Sequence, residues 1–131
     1  MALLFLCSAS FGADLSYIMK EFSLQKDEQK KILVKYAGRE KLFKFRWTLY
    51  INDGLVIHRS YDKVVGQNIL YAQSRNQSFK QELVSRGGAY YDVPYVLVKF
   101  KEFDAKKNKA KFQIFLFDRN NEVEWKFLKN R

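Results

Sequence analysis

The sequence predicts a mainly β protein: an antiparallel meander that forms a small calycin-like or lipocalin-like barrel, or a strongly curved sheet, after a short N-terminal helix. Three observations predict this fold. Apolar and polar residues alternate with a period of two over most of the chain, turn residues separate these runs, and aromatic residues make up 17% of the sequence. A length of 131 residues suits one domain.

The first predicted element is a helix over residues 14–23. Asp14 is suited to cap its start. The next apolar residues fall at i, i+3, i+4 and i+7, which is one face of a helix; they are Leu15, Ile18, Met19 and Phe22. The polar stretch 25–31 is predicted as a loop or an exposed continuation.

Six to eight strands in hairpin order are predicted after that loop. Their expected positions are 32–36, 41–51, 55–61, 68–73, 78–84, 93–103, 110–117 and 122–128. The stretch 79–85 fits a helical turn and a half equally well, so this part of the chain has two interpretations. An eight-stranded barrel encloses either packed side chains or one small ligand, and the sequence is compatible with both.

The clearest strand is 41–51, which alternates without a break. One face is expected to carry Phe43, Phe45, Trp47, Leu49 and Ile51, and the other Lys44, Arg46, Thr48 and Tyr50. Asp53 and Gly54 follow directly, and Asp-Gly between two apolar runs indicates a hairpin turn because glycine accepts a positive φ without steric cost.

The first twelve residues have the composition of a secretory signal remnant. An apolar run is followed by small residues, with Ser10 and Gly12 at positions −3 and −1 of a cleavage before Ala13. No Lys or Arg precedes the run, which departs from the usual pattern; the alternatives are a misplaced gene start, with a basic segment missing before Met1, and a structural segment in place of a signal. The division is therefore a signal peptide at 1–12 and a single β-rich domain at 13–131, in a periplasmic or secreted protein. Cleavage removes Cys7, the one cysteine, which suits an oxidising compartment.

No motif for catalysis, metal binding or cofactor binding is present in the sequence. His58 is the one histidine and is expected at the surface; a metal site normally needs several convergent ligands. Glu122 and Glu124 share a strand face, but such carboxylates are more often surface partners of lysines. The sequence therefore favours a protein without a cofactor, a metal or an enzymatic activity.

Aromatic residues are the first candidate binding group. The segment 87–95 begins with two glycines and carries three tyrosines with large amphipathic side chains, which is typical of a loop at the mouth of a barrel; the alternative is a strand start that packs at a barrel end. The residues predicted to contact a ligand or partner are Tyr90, Tyr91, Tyr95, Tyr50, Tyr61, Trp47 and Trp125.

Basic residues are the second candidate group, since the net charge is +10. A single basic strand face is predicted to hold anionic groups, provided that the strands are neighbours; it would consist of Lys44, Arg46, Lys99, Lys101, Lys109 and Lys111. The alternative is a solvated face that protects sheet edges from other chains.

Three functional hypotheses follow. The first is a non-enzymatic exported protein that binds a small apolar or anionic ligand, or a partner in the envelope. The second is an OB-like binder of single-stranded nucleic acid; Phe43, Phe45 and Trp47 argue against it, because they alternate onto the face opposite Lys44 and Arg46. The third is a small barrel hydrolase or isomerase, which needs a polar residue inside the barrel. No apolar run of membrane-spanning length follows residue 13.

Overall fold

The structure is a computed structural model that describes residues 17–73, 75–84, 93–119 and 121–129. These residues form β-strands joined by turns, without a helix. The strands are β1 (Tyr17–Gln25), β2 (Lys30–Tyr36), β3 (Arg39–Ile51), β4 (Gly54–Tyr61), β5 (Val64–Tyr71), β6 (Ser78–Glu82), β7 (Tyr95–Asp104), β8 (Lys109–Phe117) and β9 (Glu124–Phe127).

The strands form two antiparallel sheets. One has four strands in the order β1-β8-β7-β6, and the other has five in the order β5-β4-β3-β2-β9. Consecutive hairpins build most of each sheet, while β1 pairs with β8 and β9 pairs with β2. The first and last strands therefore extend the sheets at positions remote in sequence, which the predicted meander did not include.

A single aromatic core lies between the sheets. Phe43, Phe45 and Trp47 project from β3, and Phe100 and Phe112 project from β7 and β8; all five are buried. The Phe45 ring centroid lies 5.4 Å from that of Phe112, in an edge-to-face arrangement across the two sheets. Burial of alternate residues on both layers is what the period of two requires.

The predicted barrel is wrong, because the two sheets do not close on each other. In the described residues no ladder of hydrogen bonds joins β5 to β6, or β1 to β9. A barrel needs a continuous ladder around its circumference, whereas two open sheets that pack face to face bury the same alternate side chains. Alternation is common to both architectures, so it could not distinguish them.

The predicted N-terminal helix is not supported, since residues 17–25 form β1. This strand pairs with β8 along its length, from Tyr17 opposite Phe117 to Gln25 opposite Lys109. Leu24 is buried and Phe22 packs beside the core, which follows a period of two. Helical spacing of the apolar residues was a coincidence in a short window, and tertiary pairing overrides it.

A β-bulge corrects the predicted faces of 41–51. The register between β3 and β4 shifts between Trp47 and Leu49, so the side chains beyond Thr48 change faces. Tyr50 now packs beside the core, while Leu49 and Ile51 are exposed. The sequence predicted the opposite for all three residues, because strict alternation leaves no place for an extra residue.

Two tight turns bracket β4. Asn52 and Asp53 have positive φ angles of 54° and 68°, so Gly54 is the first residue of the strand and not the turn glycine that was predicted. Asp62 and Lys63, with φ angles of 51° and 70°, make an equivalent turn. This second turn contains no glycine or asparagine, and for that reason the start of β5 was not predicted.

The remaining strands agree with the sequence within a few residues. Of the stretch 79–85, which had two interpretations, residues 79–82 belong to strand β6 and residue 85 lies outside the described residues. The turn at 118–121 is confirmed: the buried Asp118 accepts a hydrogen bond at 2.7 Å from the Val123 amide, and Asn121 donates to the Asp118 carbonyl at 3.1 Å. Residues 1–12 and the predicted cleavage before Ala13 lie outside the described residues.

Candidate functional site

Two of the predicted binding aromatics lie in the core. The Trp47 indole donates a hydrogen bond at 2.8 Å to the Leu24 carbonyl of β1, and the Tyr61 hydroxyl donates one at 2.7 Å to the Leu83 carbonyl. Burial raises the pKa of Tyr61 to about 12. Each hydrogen bond connects the five-stranded sheet to the opposite layer, so both side chains hold the two layers together.

The other described aromatics of this group lie in different parts of the fold. Tyr50 stacks on Phe103 at 3.9 Å near the end of β3, and Trp125 lies on β9 with its ring 4.9 Å from Phe127. Burial, and then the nearby Asp53 carboxylate, raise the pKa of Tyr50.

Tyr95 belongs to the other sheet. Its ring stacks at 4.8 Å on Phe117, and the Lys80 ammonium lies 4.4 Å from it. Tyr90 and Tyr91 lie outside the described residues. The described aromatics therefore share no common pocket, and the role of Tyr90 and Tyr91 stays a prediction.

The six predicted basic residues belong to two sheets. Lys44 and Arg46 lie on β3 of the five-stranded sheet, whereas the other four lie on β7 and β8 of the four-stranded sheet: Lys99, Lys101, Lys109 and Lys111. The two groups point away from a shared core, so they form separate surfaces on opposite sides of the molecule.

Carboxylates accompany the basic residues on the outer face of the four-stranded sheet. Lys111 lies opposite Glu102, with 3.8 Å between the Nζ and Oε2 atoms, and Lys109 lies opposite Asp104. One strand further, Gln113 donates a hydrogen bond to Glu21 at 3.3 Å. Lys109 and Lys111 are therefore accompanied by carboxylates, whereas Lys99 lies opposite Gln113.

Basic residues face each other on the outer face of the five-stranded sheet. Lys31 of β2 lies directly opposite Lys44 of β3, and Arg46 of β3 lies directly opposite His58 of β4. We call these four residues the basic grid. Arg46 forms an ion pair with Asp27 at 3.1 Å, at the rim. Within the described residues, the other three members form no ion pair.

A groove of about 250 Å³ lies on the basic grid. Lys44, Arg46 and His58 line it together with Gln29 and Ser60, and none of its lining residues is acidic. Ser60 lies opposite Lys44 and adds a hydroxyl group. The groove thus presents several donors and positive charges to one small volume, which is the chemistry that an anion requires.

Arg59 also lines this groove, although its strand position faces the core side. Its Nε donates to Asn68 at 2.6 Å and its Nη1 donates to Gln81 at 3.0 Å. Burial lowers its pKa. Gly66 makes room for it, because a Cβ there would lie 3.0 Å from the guanidinium carbon. Arg59 links β4, β5 and β6 where the sheets are not joined by a ladder.

The sequence did not predict that Lys31, His58 and Arg59 belong to this region. The pairing of Lys31 with Lys44 follows from the β2–β3 hairpin, in which Tyr36 lies opposite Arg39. Counting residue pairs outward from a turn at 37–38 would have predicted that Lys31 lies opposite Lys44. Arg59 was also detectable, since a charged residue at a core-facing position of a strand is an exception to alternation.

The described residues contain no group of three or more His, Cys, Asp or Glu side chains placed to hold a metal ion. The part of the chain that the structure covers also lacks any apolar helix of the length needed to cross a bilayer. Comparison of the chain with protein-family models, curated protein sequences and solved structures yields no match.

Proposed function

We propose that this chain is a non-enzymatic binding protein of the cell envelope that holds an anionic ligand or partner on the basic grid. The observation that carries the proposal is the direct opposition of Lys31 to Lys44 and of Arg46 to His58. Two like charges directly across two strands, as at Lys31 and Lys44, destabilise a sheet by about 0.2–1 kcal/mol. A bound anion offsets this repulsion, so the arrangement suits a surface that is occupied in function.

The scaffold beneath the grid supports this proposal. Strands β2, β3 and β4 occupy the middle of the five-stranded sheet, and the residues that alternate with the grid, Ile32, Phe45 and Ile57, are fully buried. Side chains on paired central strands keep their spacing better than side chains on loops. The grid is therefore held ready for a ligand, which lowers the entropy that binding costs.

The proposal concerns a surface and not an internal pocket. The space between the sheets contains rings in mutual contact, such as Phe45 with Phe79 at 6.1 Å and Phe43 with Phe79 at 6.2 Å. An apolar ligand inside the domain therefore has less support than an anionic ligand outside it.

A titration with tripolyphosphate, a compact soluble polyanion, tests the proposal by calorimetry at low and at physiological ionic strength. The double variant Lys31→Gln/Lys44→Gln is expected to bind about 30-fold more weakly, since each lysine beside an anionic surface contributes roughly 1 kcal/mol. The control is Lys99→Gln/Lys101→Gln, which removes the same charge from the other sheet and is expected to stay within about twofold of the wild type. Equal losses in both variants would refute the proposed site.

The nucleic-acid alternative has weaker support. Binders of single strands combine basic side chains with exposed aromatic rings that stack on bases, but Phe43, Phe45 and Trp47 are buried on the side opposite the grid. The enzyme alternative has less support at this groove than anion binding, because no acidic residue lines the groove beside His58.

Export to the envelope is part of the proposal and rests on the composition of residues 1–12. N-terminal sequencing of the protein from its native cell tests it. A mature chain that begins at Ala13 is expected, and a chain in the cytoplasm that keeps Met1 would contradict export.

A further inference from the structure

An exposed apolar patch lies on the same face as the basic grid. It consists of Leu49, Ile51, Val56, Ile69 and Tyr71, which we call the apolar patch. Leu49, Ile51 and Ile69 are 48%, 55% and 48% exposed, and Tyr71 is 36% exposed. Single exposed apolar residues are ordinary, but a contiguous group on one sheet face marks an interaction surface.

Strand register assembles the apolar patch. Leu49, Val56 and Ile69 form one row across β3, β4 and β5, and Ile51, Gly54 and Tyr71 form the next. The bulge after Trp47 turns Leu49 and Ile51 outward. Gly54 allows the Tyr71 ring and the Ile69 side chain to pack over its backbone, because a Cβ there would lie 3.0 Å from the Tyr71 ring and 3.1 Å from Ile69.

The apolar patch and the basic grid are contiguous. Along β4, Val56 of the patch is followed on the same face by His58 of the grid. Residues two apart on a strand are about 7 Å apart. One side of this sheet therefore presents apolar side chains beside the basic grid, in neighbouring rows.

We infer that this face docks on the surface of a bilayer that contains anionic lipid, with the apolar patch in the interfacial region and the basic grid on lipid phosphates. The inference rests on the proposed function and names its partner. Charge complementarity selects this partner, because an anionic bilayer offers negative headgroups and apolar acyl chains side by side. Tyr71 suits the boundary, where a ring with a hydroxyl group has both apolar and polar contacts.

Other occupants match only part of this face. A small soluble anion binds the grid and leaves the apolar patch in water. A second copy of the chain covers the patch but brings its own positive charges towards the grid. The bilayer accounts for both features with one partner.

Co-sedimentation with vesicles tests the inference. We expect the protein to bind vesicles of phosphatidylcholine with phosphatidylglycerol at least about tenfold better than pure phosphatidylcholine vesicles, because the grid needs anionic headgroups. The variant Ile51→Ser/Ile69→Ser is expected to lose about tenfold in partitioning to the mixed vesicles and to keep its tripolyphosphate affinity within about twofold.

The matched control is Ile18→Ser/Met19→Ser. It removes two apolar side chains of similar exposure, 47% and 42%, from β1 of the other sheet, and is expected to bind vesicles as the wild type does. The Ile51→Trp variant gives a readout that does not depend on lost binding. Its added tryptophan is expected to shift its emission to the blue on addition of mixed vesicles, relative to the wild type.

The outcomes separate this inference from the proposed function. Tripolyphosphate binding without vesicle binding, or vesicle binding that Ile51→Ser/Ile69→Ser leaves unchanged, overturns the docking and leaves the anion site in place. A dimer that this double variant dissociates also overturns it, because a second copy then covers the patch. Unchanged tripolyphosphate binding in Lys31→Gln/Lys44→Gln overturns the proposed function itself.

Discussion

The two outer faces of this protein differ in where they place their basic residues, although each contains a lysine–glutamate pair, Lys111–Glu102 on one and Lys35–Glu40 on the other. On the four-stranded sheet, Lys111 and Lys109 each lie opposite a carboxylate. On the five-stranded sheet, Lys31 lies opposite Lys44, and Arg46 lies opposite His58. A net charge of +10 says nothing about this difference. Strand register decides which lysines are balanced and which are available to an anion.

Removing part of the buried core beneath both faces is expected to cause the largest loss of stability. Phe45→Ala deletes a buried ring that contacts Phe43, Phe79 and Phe112, and such deletions cost about 3–5 kcal/mol. Urea denaturation measures the loss, and both faces should lose their structure in one transition. Separate transitions for the two sheets would contradict a common core.

The second largest effect is expected to be a loss of stability at alkaline pH, because Tyr61 connects the two layers. The raised pKa means that the unfolded chain releases this proton near pH 10, whereas the folded chain keeps it until about pH 12. The free energy of unfolding therefore falls between those values. Tyr61→Phe abolishes this component and, at pH 8, costs about 1 kcal/mol for the lost hydrogen bond to Leu83. Urea midpoints at pH 8 and pH 11 check both expectations.

The smallest expected change in the free energy of unfolding compares the two faces most directly, because its sign differs between them. Lys44→Gln removes a like-charge opposition and is expected to raise the free energy of unfolding by about 0.2–1 kcal/mol. Lys111→Gln removes an ion pair with Glu102 and is expected to lower it by up to about 1 kcal/mol. Urea denaturation at low ionic strength measures both, and high salt should shrink both changes. Changes of the same sign would contradict the contrast.

The fold was predictable where local pattern and tertiary structure agree. The sequence located strands β3, β4, β7 and β8, because apolar and polar residues alternate over most of each strand. Sheet closure was not predictable, because an open pair of sheets and a barrel bury the same alternate residues. The strand β1 was not predictable either, since its pairing with β8 joins residues about 90 positions apart.

The candidate site was predictable only in part. Alternation placed Lys44 and Arg46 on an outer face, and this is confirmed. The bulge after Trp47 reversed the faces of Leu49, Tyr50 and Ile51, so the apolar patch could not be recognised before the register was known. The described members of the predicted aromatic group do not converge for a physical reason: large rings such as Trp47 and Tyr61 fill the core.

The most direct test is a chemical-shift titration of the ¹⁵N-labelled protein with tripolyphosphate. Shifts are expected to concentrate on the amides of Lys31, Lys44, Arg46, His58 and Ser60, and to leave Lys109 and Lys111 nearly unchanged. Shifts of equal size on both outer faces, or confined to the four-stranded sheet, would contradict the claim that register makes one face an anion-binding surface.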